Sequence, residues 1–358
     1  MKVTKDDIHI HTSDRALYKR CRRKWALRSP VRAHLVPIEQ RPNIHLWFGT
    51  GIHFALEDFH GHNRFKDPVE ALVAYYEAFT PEELPDDAEE TISMGIGMLN
   101  HYKRWMRRRE LYKTVWLDNE PLVEVKFALQ LNDLSDLYER PILYVGTIDR
   151  VVKNEHGEWL VQDYKTAANV DTNKLANDPQ ISTYCWAGEQ YLDKEIIGMV
   201  YTQFAKKVPK EPVRLANGNL SLNKTQKTTY DLYKAELLKD YPAAKFPAKY
   251  IKFLNNLADQ ETPEGDAFIR SDVVYRNIHS KQSIYEHICS EVAEMLDPDL
   301  PLYPNPTRDC SWDCEYRTVC LLMDEGDDWQ DYLEDNYMRK EDGHGSEEWR
   351  EKIKYPER

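Results

Sequence analysis

Residues 142–167 read Ile-Leu-Tyr-Val-Gly-Thr-Ile-Asp-Arg-Val-Val-Lys-Asn-Glu-His-Gly-Glu-Trp-Leu-Val-Gln-Asp-Tyr-Lys-Thr-Ala. Two apolar, β-branched runs, 142–152 and 158–165, flank Asn154-Glu155-His156-Gly157, a short loop whose glycine suits a β-hairpin. Asp149 ends the first apolar run. Asp163 and Lys165 lie two residues apart on the second strand, so both side chains project from one face. In an antiparallel pair, Asp149 and Asp163 converge on one point. Carboxylates and an ammonium among apolar strands are costly unless they are paired, hydrated or bound to a cation. A hard cation such as Mg²⁺ or Mn²⁺ takes oxygen ligands, and two converging aspartates begin such a site. An Asp–Lys ion pair at a strand end is the simpler alternative for Asp163-x-Lys165.

Working outward, Val123, Val125 and Phe127 alternate with Glu124 and Lys126 as a half-buried strand. Glu124 reads either as an acid near the metal or as a cross-strand partner of a cation. A helix is expected over about 178–192, with Gln180 and Tyr184 at i, i+4, then a strand over 196–204. Upstream, Ser13 can cap a helix over about 14–28 that carries Leu17, Cys21 and Trp25 on one face. A second helix is expected from near Gly51, with Ile52, His53, Leu56 and Glu57. Acid-rich 81–90 reads as a loop before a helix to about Tyr112. Lys- and Pro-rich residues 205–275 read as an insertion or subdomain, followed by a helix over 281–296, a Pro-rich loop and a cysteine cluster. The expected class is α/β: a central mixed β-sheet flanked by helices over 1–322, with an acidic tail over 323–358. There is no Gly-rich phosphate loop, so this is not a doubly wound nucleotide-binding fold.

The 358 residues carry 48 Lys+Arg and 61 Asp+Glu, a formal charge of −13. With 41% hydrophobic and 11% aromatic residues, the chain is not disordered. No apolar run approaches the roughly 20 residues of a membrane span. The start, Met1-Lys2-Val3-Thr4-Lys5, has no apolar core of the secretory kind. In an intracellular protein the six cysteines read as ligands, nucleophiles or core thiols rather than disulfides. The charge is uneven: residues 321–358 hold 13 acids against 6 bases, whereas 14–33 hold 8 Lys/Arg against one acid. Residues 103–113 hold 6 against one. Salt screens exposed charges beyond roughly 10 Å, so the net charge does not exclude a polyanionic partner. Each basic cluster reads as a solvated helix face or as a track for a nucleic-acid backbone.

Taken in order, Gly49-x3-His53, Gly146-x2-Asp149, Asp163-x-Lys165 and Gln180-x3-Tyr184 resemble the four motifs of the RecB-type branch of the PD-(D/E)XK nucleases. The middle acid here is Asp163 rather than Glu, which that motif permits. The resemblance implies a restriction-endonuclease-like fold. It also implies that His53, Asp149, Asp163 and the Tyr164 carbonyl hold Mg²⁺ or Mn²⁺. Lys165 would then orient water or stabilise the phosphate, while Gln180 and Tyr184 position the phosphate or support Lys165.

Cys310-x3-Cys314-x5-Cys320, with the upstream stretch Leu17-x3-Cys21-x3-Trp25-x-Leu27, resembles the cysteine pattern of nucleases with a [4Fe–4S] cluster. Arg22 stands where those nucleases usually have proline. Such clusters join the N- and C-terminal helical regions in AddB-type helicase–nucleases, the fourth CRISPR-associated exonuclease family and phage-encoded relatives. Four thiolates on a structural Zn²⁺ are the inorganic alternative, although zinc sites usually come as two short paired knuckles. Cys185 and Cys289 sit in helical apolar patterns and read as core thiols. The implied activity is a metal-dependent DNA exonuclease of phage or prokaryotic recombination, repair or replication. It would be cytoplasmic and would act on single-stranded DNA or free ends, with a recombinase or single-strand annealing protein as partner. The alternative is a non-catalytic iron–sulfur or zinc DNA-binding scaffold subunit in a recombination or spacer-acquisition complex.

Overall fold

Strand β1 (Ile8–His11) leads into α1 (Thr12–Arg20) and α2 (Arg22–Arg28). These two replace the single helix expected over 14–28, because Cys21 takes extended geometry (φ −162°, ψ 111°) and ends one helix while starting the next. Helix α3 (Ile44–His60) begins seven residues before Gly51, where the Asn43 side chain accepts from the His45 and Leu46 amides. Gly51 lies inside α3, and glycine is needed there because a Cβ would meet the Tyr75 ring at 2.7 Å. That ring belongs to α4 (Pro68–Glu77), and α5 (Ala88–Arg109) follows. Three strands of the central sheet come next: β2 (Lys113–Thr114), β3 (Val123–Gln130) and β4 (Ile142–Lys153). Strand β5 (Trp159–Ala167), helix α6 (Pro179–Leu192) and strand β6 (Ile196–Ala205) complete the central run. This computed structural model describes residues 7–39, 42–109, 111–262, 264–340 and 348–356.

After β6 the chain leaves the sheet and forms α7 (Tyr230–Asp240) and α8 (Ala248–Ala258) before returning as β7 (Ile269–Tyr275). Residues 269–275, expected inside the insertion, are instead a sheet strand antiparallel to β6. Their alternation is short and broken by polar Ser271 on the Ile269/Val273 face, so the pattern is weak without its partner. Helix α9 (Ile278–Leu296) covers one sheet face with α6, and α10 (Arg317–Glu325) and α11 (Trp329–Asn336) follow.

The seven-stranded sheet is mixed, and one edge of β4 decides where it opens. Strand β3 runs antiparallel along one edge, from Val123↔Arg150 to Gln130↔Leu143. The other edge is shared: β1 runs parallel to residues 142–145, and β5 runs antiparallel to residues 150–153. Residues 146–149 have no strand partner there, and the sheet splits at Asp149. Gly146 is needed at the split, since a Cβ would meet Thr12 Cγ2 and Phe127 Cζ, each at 2.7 Å.

One core lies between the sheet and α1, α6 and α9, around Ile148, Val161, Ile181 and Ile288. A second lies on the α3–α5 side, around Phe48, Ile52, Tyr75 and Tyr164. Its members include Trp349 and Ile353, so the described parts of 323–358 are not a solvated tail. Trp349 packs edge-on to Phe54 and Tyr75, at centroid distances of 5.1 and 4.7 Å. Residues 337–339 form a strand with residues 35–37. Few apolar residues among many acids carry this packing, which is why composition reads the segment as a tail. No helix among the described residues is long and apolar enough to cross a membrane.

Candidate active site

The split in the sheet gathers most of the residues singled out by the motifs. Beyond the last β4–β5 pair, the Tyr164 amide turns from strand pairing and donates to Asp149 Oδ2 at 2.7 Å. From α3, His53 reaches the same point, with Nε2 2.9 Å from the Tyr164 carbonyl and Nδ1 3.5 Å from Asp149 Oδ1. Asp163 is 2% exposed, and its Oδ1 accepts from Lys165 Nζ at 2.8 Å and Gln180 Nε2 at 3.4 Å. Gln180 is placed by Asp178, which caps α6 by accepting from the Gln180 amide. Tyr184, one turn further on, packs edge-on to Phe127 and stands within electrostatic reach of Asp163 and Lys165.

Glu124 joins this group more closely than its sequence suggests. Ligand atoms of His53, Glu124 and Asp149 all lie within 4.8 Å of one another, the spacing of donors around one ion. Glu124 holds φ at +46° within β3, a conformation that costs a non-glycine residue about 1–3 kcal/mol. The +46° φ belongs to the residue whose carboxylate faces His53. Tyr201, in register with Asp163 on β6, was not singled out by any motif, because an isolated tyrosine on an apolar strand carries no local signal.

The titration of these groups describes a site built around positive charge. Burial pushes Asp163 up to about 6, with Lys165 opposing and the Asp149 charge adding to the rise. Asp149 is itself buried, but His53, Lys165 and the Tyr164 amide outweigh burial and hold it below the usual carboxylate range. Burial disfavours the His53 cation, yet Asp149 and Glu124 raise it well above its ordinary value. Lys165 is raised in the same way by Asp163 and Asp149 against burial. Burial lifts Tyr184 to about 12, with Asp163 adding to it, so its phenol is neutral and can donate. Asp163 Oδ2 is buried without a hydrogen-bond partner. An orphaned carboxylate oxygen next to a His/Glu/Asp set fits a divalent cation, which would displace the imidazole proton because only the neutral ring can ligate.

Cysteines 21, 310, 314 and 320 are free thiols of intermediate exposure. Burial raises the Cys314 thiol, and Cys310 and Cys21 are near enough to raise it further. Each of the other three sulfurs faces an N–H: the Lys24 amide to Cys21 at 3.5 Å, the Thr307 amide to Cys310 at 3.4 Å, and Arg23 Nη1 to Cys320 at 3.2 Å. Such donors suit thiolates bound to a metal or cluster. Among the described residues, no three of these sulfurs lie within 4.8 Å of one another, so the close set of a single tetrahedral ion is not formed. Cys185 is buried in the first core, its thiol pushed up to about 12, and Cys289 packs against that core.

The basic stretch around Cys21 is not an open track. All eight Lys and Arg of residues 14–33 bond to residues 291–324. Arg15 and Lys19 meet Glu291, and Arg20 bridges Asp309 and Asp313. Arg22, Arg23 and Arg28 meet Glu294, Asp324 and Glu315. The 103–113 stretch differs: Lys103 pairs with Asp67, while Arg107 and Lys113 line a cleft of about 670 Å³ with Lys66 and the exposed Trp116. The side chains of Arg108 and Arg109 lie outside the described residues.

No curated protein matches the chain. A family model described as the PD-(D/E)XK nuclease superfamily matches residues 12–321, a span that runs from the start of α1 into α10 and contains the whole split-sheet site. By that match, the chain belongs to the PD-(D/E)XK nuclease superfamily.

Proposed function

We propose that the protein is a metal-dependent DNA exonuclease of the RecB-like branch, working in prokaryotic or phage recombination, repair or replication. The carrying observation is the buried, half-satisfied Asp163 carboxylate beside Lys165, facing the His53/Glu124/Asp149 group. These side chains would hold Mg²⁺ or Mn²⁺, with the Tyr164 carbonyl next to the His53 imidazole. A divalent cation supplies Lewis acidity there: it neutralises phosphate charge and lowers the pKa of water. Lys165 keeps its proton and is held by Asp163, so its ammonium can face the negative phosphoryl oxygens as charge develops. Gln180 holds Asp163 Oδ1 in place, and the neutral Tyr184 phenol offers a proton to a phosphate oxygen or the departing alkoxide. Water adds to phosphorus, the P–O ester bond breaks, and the released sugar oxygen takes up a proton.

Cys21, Cys310, Cys314 and Cys320 would hold a [4Fe–4S] cluster, whose larger body accepts sulfurs spaced more widely than one zinc ion does. The substrate is single-stranded DNA or a free end, and a recombinase or annealing protein is the partner such a nuclease serves in the cytoplasm. The complete His53/Asp149/Asp163/Lys165 set favours catalysis over a scaffold role. Strands labelled at either end and incubated with Mn²⁺ test this reading. Wild type should release label from one end first, and Asp163→Ala should release none. An Asp163→Ala protein that digests DNA at near wild-type rate would remove the site assignment.

A further inference from the structure

Residues 206–267 leave the sheet at the same end as the metal-binding side chains. Strands β5 and β6 are parallel, with Asp163↔Tyr201, Lys165↔Gln203 and Ala167↔Ala205 in register. The chain departs two residues beyond the Lys165 level and returns one hydrogen bond away, from the Ala205 amide to the Phe268 carbonyl at 2.8 Å. In open sheets, ligands gather outside the carboxyl ends of parallel strands. The excursion has its own core of Leu220, Tyr233, Leu237, Tyr250, Phe253 and Leu257, so it is a folded module rather than a loop.

Its charge opposes that of the whole chain. Residues 206–267 carry eleven Lys and Arg against eight Asp and Glu, a net +3 in a protein of net charge −13. Of the eight acids, Glu236 and Asp240 are taken up by Arg214 and Lys239. On the return segment, Asp266 is turned to His101 and to backbone amides, and Glu261 accepts from the Tyr230 amide. Lys210, Lys224, Lys227, Lys245 and Lys252 are exposed, with no carboxylate within 4 Å among the described residues. They fall into two groups. Lys210 and Lys227 are joined through their backbones, with Lys224 close in sequence. Lys252 lies on the side of α8 away from Phe253, Leu254 and Leu257, and Lys245 stands in the turn just before that helix.

We infer that this module is a nucleic-acid backbone clamp: its unpaired lysines hold the phosphates of the DNA strand that enters the metal site. The inference rests on the nuclease reading above and adds a phosphate-holding surface to the Lys66/Arg107/Lys113 cleft, since the helix around Cys21 has its cations occupied. Point-charge ammonium groups on a separate folded module suit sequence-independent phosphate contacts, which release counterions and so depend on salt.

The test uses the full chain, with Lys210, Lys224, Lys227, Lys245 and Lys252 all changed to Gln, and a second variant with Arg at the same five positions. Affinity for a labelled single-stranded 40-mer is measured in Ca²⁺ across a salt series. Hydrolysis of a trinucleotide is measured in Mn²⁺. The Gln variant should lose about 0.7 in the log–log salt slope for each phosphate contact removed, and bind at least about tenfold more weakly at low salt. It should keep the wild-type melting temperature and trinucleotide turnover. The Arg variant should keep the wild-type slope. A Gln variant with wild-type slope and affinity overturns the clamp. If wild type cleaves neither the trinucleotide nor the 40-mer when both are given Mn²⁺, while the Gln variant still loses salt slope, the nuclease reading fails and the clamp stands.

Discussion

At the residue scale, Asp163 carries the clearest consequence of burial. The folded protein binds a proton there up to about pH 6, whereas an unfolded aspartate releases it near about 4. The contribution to stability is therefore fully present below about pH 4 and is lost as pH rises through about 6. Asp163→Asn keeps the neutral form at every pH. In metal-free protein it should melt like wild type near pH 4 and gain up to about 3 kcal/mol above pH 7, while losing nuclease activity. Chemical denaturation at both pH values checks this, and equal stability at pH 8 would show that the carboxylate is not strained by burial. Asp149 has the opposite sign: its lowered pKa stabilises the fold above about 4, and that contribution is lost on acidification. At Glu124 the expected signature is conformational. Glu124→Gly and Glu124→Ala should both weaken Mn²⁺ binding in calorimetry, but the Gly variant should be about 1 kcal/mol more stable, because only glycine accepts φ +46° freely.

At the scale of elements, α1 and α2 are fastened to the C-terminal region in two ways. One is ionic and uneven: Arg15 is 4% exposed and bonds to Glu291, Tyr144 and Thr183, whereas Lys19 reaches Glu291 from solvent. Arg15→Ala should cost about 3 kcal/mol, since it leaves buried partners unsatisfied, and Lys19→Ala no more than about 0.5 kcal/mol. Urea titration of the two variants separates these values. The other is the cluster proposed for Cys21, Cys310, Cys314 and Cys320. Anaerobically purified protein should be brown, and Cys21→Ser should lose the colour and several kcal/mol, while Cys185→Ser keeps the colour. A Cys21→Ser protein with full visible absorbance would place the fourth ligand elsewhere. The break between α1 and α2 puts the Cys21 sulfur at a helix start, where the Lys24 amide meets it.

At the scale of the molecule, residues 348–356 pack behind α3, the helix that carries His53 of the candidate site. Trp349 lies against Phe54, the neighbour of His53 on α3. Trp349→Ala should cost about 3–5 kcal/mol and reduce turnover along with stability, where a solvated tail would change neither. Thermal melting and Mn²⁺-dependent digestion of the same preparation check both effects. What the sequence determined by itself was local. A short glycine-containing loop between two β-branched runs, residues 154–158, sets the register that leads Asp149 toward Asp163, and the two-residue strand period puts Lys165 beside Asp163. The i, i+4 spacing on a capped helix does the same for Gln180 and Tyr184. Tertiary structure alone decided the rest: the +46° turn that aims Glu124, the reach of His53 across 111 positions to Tyr164, the pairing of the Cys21 cations with distant acids, and the burial of Trp349. Strand and helix periods act through bonds within a few residues, so they are written in adjacent letters. Contacts between remote segments depend on which surfaces the packed core brings together, and charge or apolar character in one segment does not name its partner in another.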